Sequence, residues 1–227
     1  MIQIYKVGGC VRDAVLGIRS KDIDCAVEAP SFEAMEAWVA ERGKIYLSKP
    51  EFFTIRAKVG KEDLDFVLCR KESCYSDGRR PDSVEMGTIY DDLARRDFTM
   101  NAIARREPDG AYIDPHGGIE DIGARIIRAV GKAEDRFNED ALRMLRAMRF
   151  AITLNFNLHV EIKMCFDRLY LLEKLRTVSI ERQQIELQKC FRSSTPKTLD
   201  FLRHYDGMRN YLFDNSIMWL EPTLRAR

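Results

Sequence analysis

The sequence predicts an α+β fold, with a mixed-sheet head followed by an all-helical region. Two observations carry this. Up to about residue 130, short apolar segments alternate with period two, are punctuated by Gly and Pro, and are interspersed with brief helical stretches. Beyond "GKAEDRF" the strand signals vanish and apolar residues recur at three- and four-residue spacings. With 227 residues, 45% of them hydrophobic, the chain suffices for one large domain or two small ones. We place the boundary near Lys132, giving a head at 1–131, a helical neck at 132–195 and partial further helices at 196–227.

In chain order, "IQIYKV" reads as a strand stopped by Gly8-Gly9, and "CVRDAVLG" as a short helix stopped by Gly17. "DIDCAVE" alternates as a strand. "SFEAMEAWVAERG" opens on Ser31 as a helix N-cap and stops at Gly43. "FFTIRAKV" and "EDLDFVLCR" form a hairpin across Gly60-Lys61. "RKESCYSDGRRPDSVEMG" is polar and reads as a mobile loop. "TIYDDLARRDFTMNAIA" has helical spacing, and "ARIIRAV" resembles a last strand. The neck reads as helices over 138–154, 159–173 and 179–192, with Leu142, Leu145, Met148 and Ile152 on one face of the first.

Composition narrows the function classes. With 37 basic and 36 acidic residues, no global cationic field announces nucleic acid. The halves differ mildly: 20 basic against 23 acidic before Lys132, and 17 against 13 from it onward. Six cysteines without a C-x-x-C pair, and only three histidines, argue against a zinc cluster or a secreted disulfide framework. The N-terminus lacks an apolar targeting core and no apolar run approaches membrane-spanning length. A soluble cytoplasmic protein with no membrane partner is expected.

The carboxylates suggest chemistry. Asp22 and Asp24 stand at i and i+2 of an expected strand and so share a side. A bare D-x-D is more often an exposed strand end, but two like charges this close also suit neutralisation by a cation. Asp65 lies in the apolar run "LDFVL", where an unpaired charge is costly. If its strand pairs beside the first, three carboxylates converge on one point. Hard oxygen ligands suit Mg²⁺, with substrate phosphates completing its shell. Two such ions about 3.5–4 Å apart would activate an attacking hydroxyl and stabilise a leaving pyrophosphate. Gly8-Gly9 before a helix offers bare N–H groups to a phosphate, and Arg12 could add a charged contact. Asp13 either fixes Arg12 or only caps the helix.

These pieces recur in a familiar order. "VGGCVRDAVLG…KDIDCAV", "SDGRRPD", "DLARRDFTMNAIA", "YIDPHGGIEDI", "RFNEDALRMLRAMRFA" and "ERQQIELQK" together resemble the class II CCA-adding tRNA nucleotidyltransferases, a family that includes bacterial poly(A) polymerases. The resemblance implies a polymerase-beta-like nucleotidyltransferase head, Mg²⁺, CTP and ATP as substrates and the tRNA 3′ end as acceptor. It implies Asp22 and Asp24 as metal-binding carboxylates and Asp65 as the third strand carboxylate, a position often occupied by Glu in the family. "RRDFTMNA" looks like the element that contacts the nucleotide's sugar and phosphates, bringing in Arg96, Asp97 and Asn101. Otherwise Arg95 and Arg96 would be a solvated helix end.

"NEDALRMLRAMRF" has a plain reading in which Asn138 caps a helix, Glu139 and Asp140 favour its positive end and the arginines are surface charge. The geometry suggests more. Asp140 and Arg143 would stand one turn apart on one face, with Arg146 and Arg149 continuing along it, available for triphosphate or for bracing the pair. Cytosine and adenine each present an amino donor beside a ring-nitrogen acceptor, whereas guanine and uracil present a carbonyl beside an N–H. A carboxylate and a guanidinium side by side would accept C and A and reject G and U. The family resemblance assigns E-D-x-x-R this role and gives the region of "SDGRRPD" a loop linked to A addition, which leans away from a CC-only enzyme.

Family members usually continue through helical body and tail regions, yet only residues 193–227 follow the last motif here. Either the chain is a compact enzyme, with homo-oligomerisation making up surface, or it is a fragment. Beside CCA addition stand a poly(A) polymerase adding A only, a partial A- or CC-adding enzyme, and a catalytically idle RNA-binding remnant.

Overall fold

The computed structural model describes residues 2–20, 22–73 and 83–214. They divide into two compact units, with the division in sequence between Gly131 and Lys132. The first unit carries β1 (Gln3–Val7), α1 (Gly9–Val15), β2 (Ile23–Glu28), α2 (Phe32–Ala40), β3 (Lys44–Lys49), β4 (Thr54–Val59), β5 (Glu62–Leu68), β6 (Arg70–Ser73), β7 (Ser83–Met86), α3 (Ile89–Ala94), β8 (Ala104–Glu107), β9 (Tyr112–Ile113) and α4 (Gly118–Ala124).

Seven strands form one sheet in the order β3-β4-β5-β2-β1-β8-β9. Its neighbours are antiparallel except β2 and β5, which run parallel. A parallel pair needs a crossover, and α2 with the β3–β4 hairpin supplies it. Period-two alternation loads both faces. Tyr5, Val7 and Ala26 pack with Ile89 and Leu93 of α3 on one, while Cys25, Val27, Ile55, Ala57 and Phe66 pack with Phe32, Met35 and Val39 of α2 on the other. The Ser31 hydroxyl caps α2 by accepting the Ala34 N–H at 3.1 Å. Gly60, at φ +62°, turns β4 into β5.

Several expected boundaries move. Asp22 lies in a bend before β2, not in the strand, because β1 ends at Val7 opposite Asp24 and the Asp22 carbonyl accepts the Ser20 hydroxyl at 3.0 Å. The helix expected through "TIYDDLARRDFTMNAIA" stops at Ala94. There the backbone is captured elsewhere: Thr99 N donates to Arg128 O at 2.9 Å, Val130 N donates to Asp97 O at 3.2 Å, and Phe98 bridges Ala129. The last strand shrinks to Ile126–Ile127. The polar stretch expected as a loop instead contributes β6 and β7, an antiparallel pair with Arg70 opposite Met86. Half of that stretch, including all of "SDGRRPD", lies outside the described residues.

The second unit builds, among the described residues, from α5 (Ala133–Glu139), α6 (Leu142–Leu154), α7 (Val160–Phe166), α8 (Leu169–Lys174), α9 (Ile180–Ser193), α10 (Thr195–His204) and α11 (Asp206–Asp214). Met144, Leu145, Met148 and Ile152 bury one face of α6, and α9 adds Leu187 and Cys190. Phe166, Phe201 and Tyr205 stack with ring centroids 4.6–5.6 Å apart. The helix expected over 138–154 is broken: Asp140 is extended, and its Oδ1 accepts the Leu142 N–H at 3.0 Å to start a new helix. Asn138 therefore sits inside α5 and caps nothing. The segment 159–173 likewise divides at an extended Arg168.

Candidate active site

The parallel β2–β5 pairing sets Asp24 opposite Asp65, so both carboxylates leave the same face of the sheet. Asp24 is exposed at the start of β2, yet partial desolvation of its carboxyl by neighbouring atoms raises its pKa above the ordinary carboxylate value. The charges of Asp65 and Asp22 add to the rise, while Arg96 opposes it. Asp65 is half-buried and not unpaired: Arg56, its neighbour across β4, stands with Nε 3.0 Å from the carboxylate. The three aspartates do not close on one point. Among the described residues no three Asp, Glu, His or Cys side chains converge as a metal cluster. Like charges spread apart, and Asp65 settles on its nearest guanidinium. The donor set nonetheless suits a hard divalent cation, since the negative charges of Asp65 and Asp22 act on Asp24 and such an ion would offset them.

Beside Asp24 lies a connected polar net. Gly8 has φ +73°, and a Cβ there would fall 2.8 Å from Arg96 Nη1 and 3.9 Å from Asp24 Oδ2. Glycine is required both by the turn and by this approach. Gly9 opens α1, next to Arg12 Nη2. Arg12 donates through Nη1 to Asn101 Oδ1 at 2.8 Å and through Nε and Nη2 to Asp13 Oδ1 at 3.0 and 2.6 Å, so Asp13 fixes Arg12. Asn101 Nδ2 donates to Asp97 Oδ1 at 3.1 Å, and Arg96 Nη1 donates to the Asn101 carbonyl at 3.3 Å. Gly8, Gly9, Arg12, Arg96, Asp97 and Asn101 thus gather at one end of the sheet, around the β1–α1 turn.

Asp92 was not singled out by sequence. It is 1% exposed, and its Oδ2 accepts Arg96 Nε and Nη2 at 3.1 and 2.8 Å while Oδ1 accepts Arg95 Nη2. Burial alone would raise its pKa, but the two guanidiniums outweigh it and hold the carboxyl below the ordinary value. The available signal was the Asp-x-x-Arg-Arg spacing, which puts both arginines within one turn. Arg95 and Arg96 are therefore not a merely solvated helix end.

In the second unit, Asp140 and Arg143 flank the break between α5 and α6. Arg143 donates through Nη1 to Glu139 Oε2 at 2.8 Å and to the Arg136 carbonyl at 3.1 Å. Asp140 Oδ2 stands 3.9 Å from Arg182 Nη2. Arg149 engages α9. Its Nε donates to Glu186 of α9 at 2.5 Å, and its guanidinium lies 3.9 Å from the Phe150 ring centroid. Arg146 stands 5.6 Å from the same ring. Arg143, Arg146 and Arg149 do share a half-buried edge of α6. Arg182 and Glu186 were not named from the sequence, although "ERQQIELQK" contains both.

With this geometry in place, the likenesses are informative. The family model of the Poly A polymerase head domain matches residues 4–128. The CCA-adding enzyme of Levilactobacillus brevis is 39% identical over 202 residues, 86% of this chain and 48% of that protein. The crystal structure of the Bacillus stearothermophilus CCA-adding enzyme in complex with CTP matches with a TM-score of 0.78 and 34% identity, covering 92% of this chain and 49% of that one. The Thermotoga maritima CCA-adding enzyme complexed with tRNA-CCA matches with a TM-score of 0.75 and 28% identity, over 97% of this chain and 50% of that one. The chain spans about half the length of the relatives it matches.

Proposed function

Because the chain belongs to the family of the poly(A) polymerase head domain and the CCA-adding enzymes, we propose that it is a tRNA nucleotidyltransferase. It adds C and A, taken from CTP and ATP, to the 3′ end of tRNA and releases pyrophosphate, acting in the cytoplasm. No described helix is long and apolar enough to cross a membrane. The observation that carries the reading is the register that puts Asp24 opposite Asp65, with the Gly8 turn and Arg96 beside them.

In this reading Asp22 and Asp24 hold Mg²⁺, with Asp65 as the third carboxylate. Mg²⁺ held there would stabilise charge on the transferring phosphate and lower the pKa of the attacking hydroxyl. The RNA 3′-oxygen bonds to the α-phosphorus of the nucleotide, and the bond from that phosphorus to the leaving pyrophosphate breaks. The Gly8-Gly9 turn, Arg12 and Arg96 grip the phosphates, and Asp97 holds Asn101 toward the sugar. Asp140 and Arg143 read the base. One Asp140 oxygen is fixed by the Leu142 N–H, and Oδ2, 3.9 Å from Arg182 Nη2, accepts from the amino group of C or A. Arg143 donates to the ring nitrogen, with Glu139 holding the guanidinium. Arg146 and Arg149 border the same edge.

The test supplies each nucleoside triphosphate singly, with Mg²⁺, to tRNA ending before, within and after CCA. Incorporation of C and A in turn, ceasing after CCA, is expected. G or U incorporated as readily as C and A would sink the base-reading pair. Long A tails without C would mark an A-only polymerase, as the name of the matching family model admits. No incorporation at all, with RNA still bound, would leave a binding remnant.

A further inference from the structure

Helix α3 is pinned along its length. Thr88 and Asp91 form a reciprocal capping box at its start, where Glu28 of β2 also accepts the Ile89 N–H at 2.6 Å and the Tyr5 hydroxyl at 3.0 Å. Ile89 and Leu93 bury its apolar side in the core. Asp92 rides on this fixed helix with both carboxylate oxygens engaged, one by Arg95 and the other by Arg96. Arg95 and Arg96 thus share one buried carboxylate, each through its own oxygen. Arg96 thereby turns Nη1 to the Gly8 turn, where it donates to the Asn101 carbonyl at 3.3 Å and lies within the field of Asp24. A free arginine side chain would lose rotamer entropy on gripping an anion. Here Nε and Nη2 are already committed to a buried partner, so the guanidinium plane is set before any ligand arrives.

We propose that Asp92 is a positioning residue for nucleotide binding: it orients the Arg96 guanidinium at the Gly8 turn and thereby sets where the triphosphate is gripped. Asp92 is too buried to touch nucleotide itself and acts through Arg96. This rests on the nucleotidyl-transfer reading of the same site.

The experiment measures equilibrium binding of ATP and CTP to the 227-residue chain by calorimetry, without RNA. It compares wild type, Asp92→Asn, Arg96→Gln and the double variant, with a thermal melt of each. Asp92→Asn is expected to weaken nucleotide binding about tenfold or more, and Arg96→Gln to do the same. The double variant is expected to bind no more weakly than Arg96→Gln alone, because the two changes break one unit. Full nucleotide affinity in Asp92→Asn, or losses that multiply in the double variant, would overturn Asp92's role. If Asp92→Asn fails to fold, Asp92→Glu keeps a buried charge while displacing the guanidinium by a methylene, and the same outcomes are read from it. A wild-type chain that binds neither nucleotide overturns both the nucleotidyl-transfer reading and this one. Binding by wild type with multiplying losses overturns this one alone.

Discussion

The two halves of the proposed chemistry are built differently. In the first unit, the phosphate end of the site is fixed by contacts between distant parts of the chain: Arg12 with Asn101, Arg96 at the Gly8 turn, and Asp24 in register with Asp65. In the second, the base-reading pair Asp140 and Arg143 is shaped locally, by a helix break and by Glu139 one turn before Arg143. The sheet register supplies rigidity to the first, while hydrogen bonds between residues at most seven apart shape the second. Damage to the first should abolish chemistry, and damage to the second should relax choice.

The largest effect is expected at Asp24. Asp24→Ala should lower nucleotidyl transfer by roughly 10³-fold with little change in melting temperature, measured by single-turnover transfer onto tRNA. A smaller loss would show that the carboxylate pair is not the centre of the site. Next comes Asp92. Asp92→Ala strips two guanidiniums of a buried partner and should destabilise the fold by about 3–5 kcal/mol in denaturant unfolding. The sign with pH follows from its depressed folded-state pKa. The stability it contributes is full above the unfolded value of about 3.9 and is lost as pH falls through the lower folded value. Asp92→Asn should therefore flatten the acid limb of a stability–pH curve, and an unchanged limb would contradict the pairing.

Asp140→Asn tests the locally built half. An amide keeps an acceptor for the Leu142 N–H but turns a donor toward the base, so discrimination of C and A over G and U should fall about tenfold. Transfer of C itself should suffer less than in Asp24→Ala. Equal loss for all four nucleotides would assign Asp140 to structure and not to choice. The smallest effect is expected at Gly8. Gly8→Ala must hold φ +73° and meet Arg96 Nη1, costing about 1–2 kcal/mol of stability. It should also weaken nucleotide binding.

What was legible in the sequence follows the same division. Period-two alternation and the Gly60 turn gave β4 and β5, and Gly8-Gly9 marked the end of β1, because these are local signals. β8 was missed since Arg105 and Arg106 obscure the alternation of a strand, and β9 because two residues show no period. The end of α3 was misplaced because helical spacing persists past Ala94, whereas the backbone there is drawn into pairing with residues 128–130. Asp24, Asp65 and Arg12 were legible as residue types. Their partners Arg56 and Asn101 are set by register and tertiary approach, which spacing does not reveal. The break at Asp140 escaped for a different reason. Asp before a helical run is an ordinary helix-start signal, but here strong helical spacing on both sides concealed it.

The most direct measurement offers all four nucleoside triphosphates together, with Mg²⁺, to tRNA lacking its CCA end, followed by sequencing of the added nucleotides. The predicted result is C, C and A in that order, then arrest. Additions that include G or U as often as C and A would contradict it.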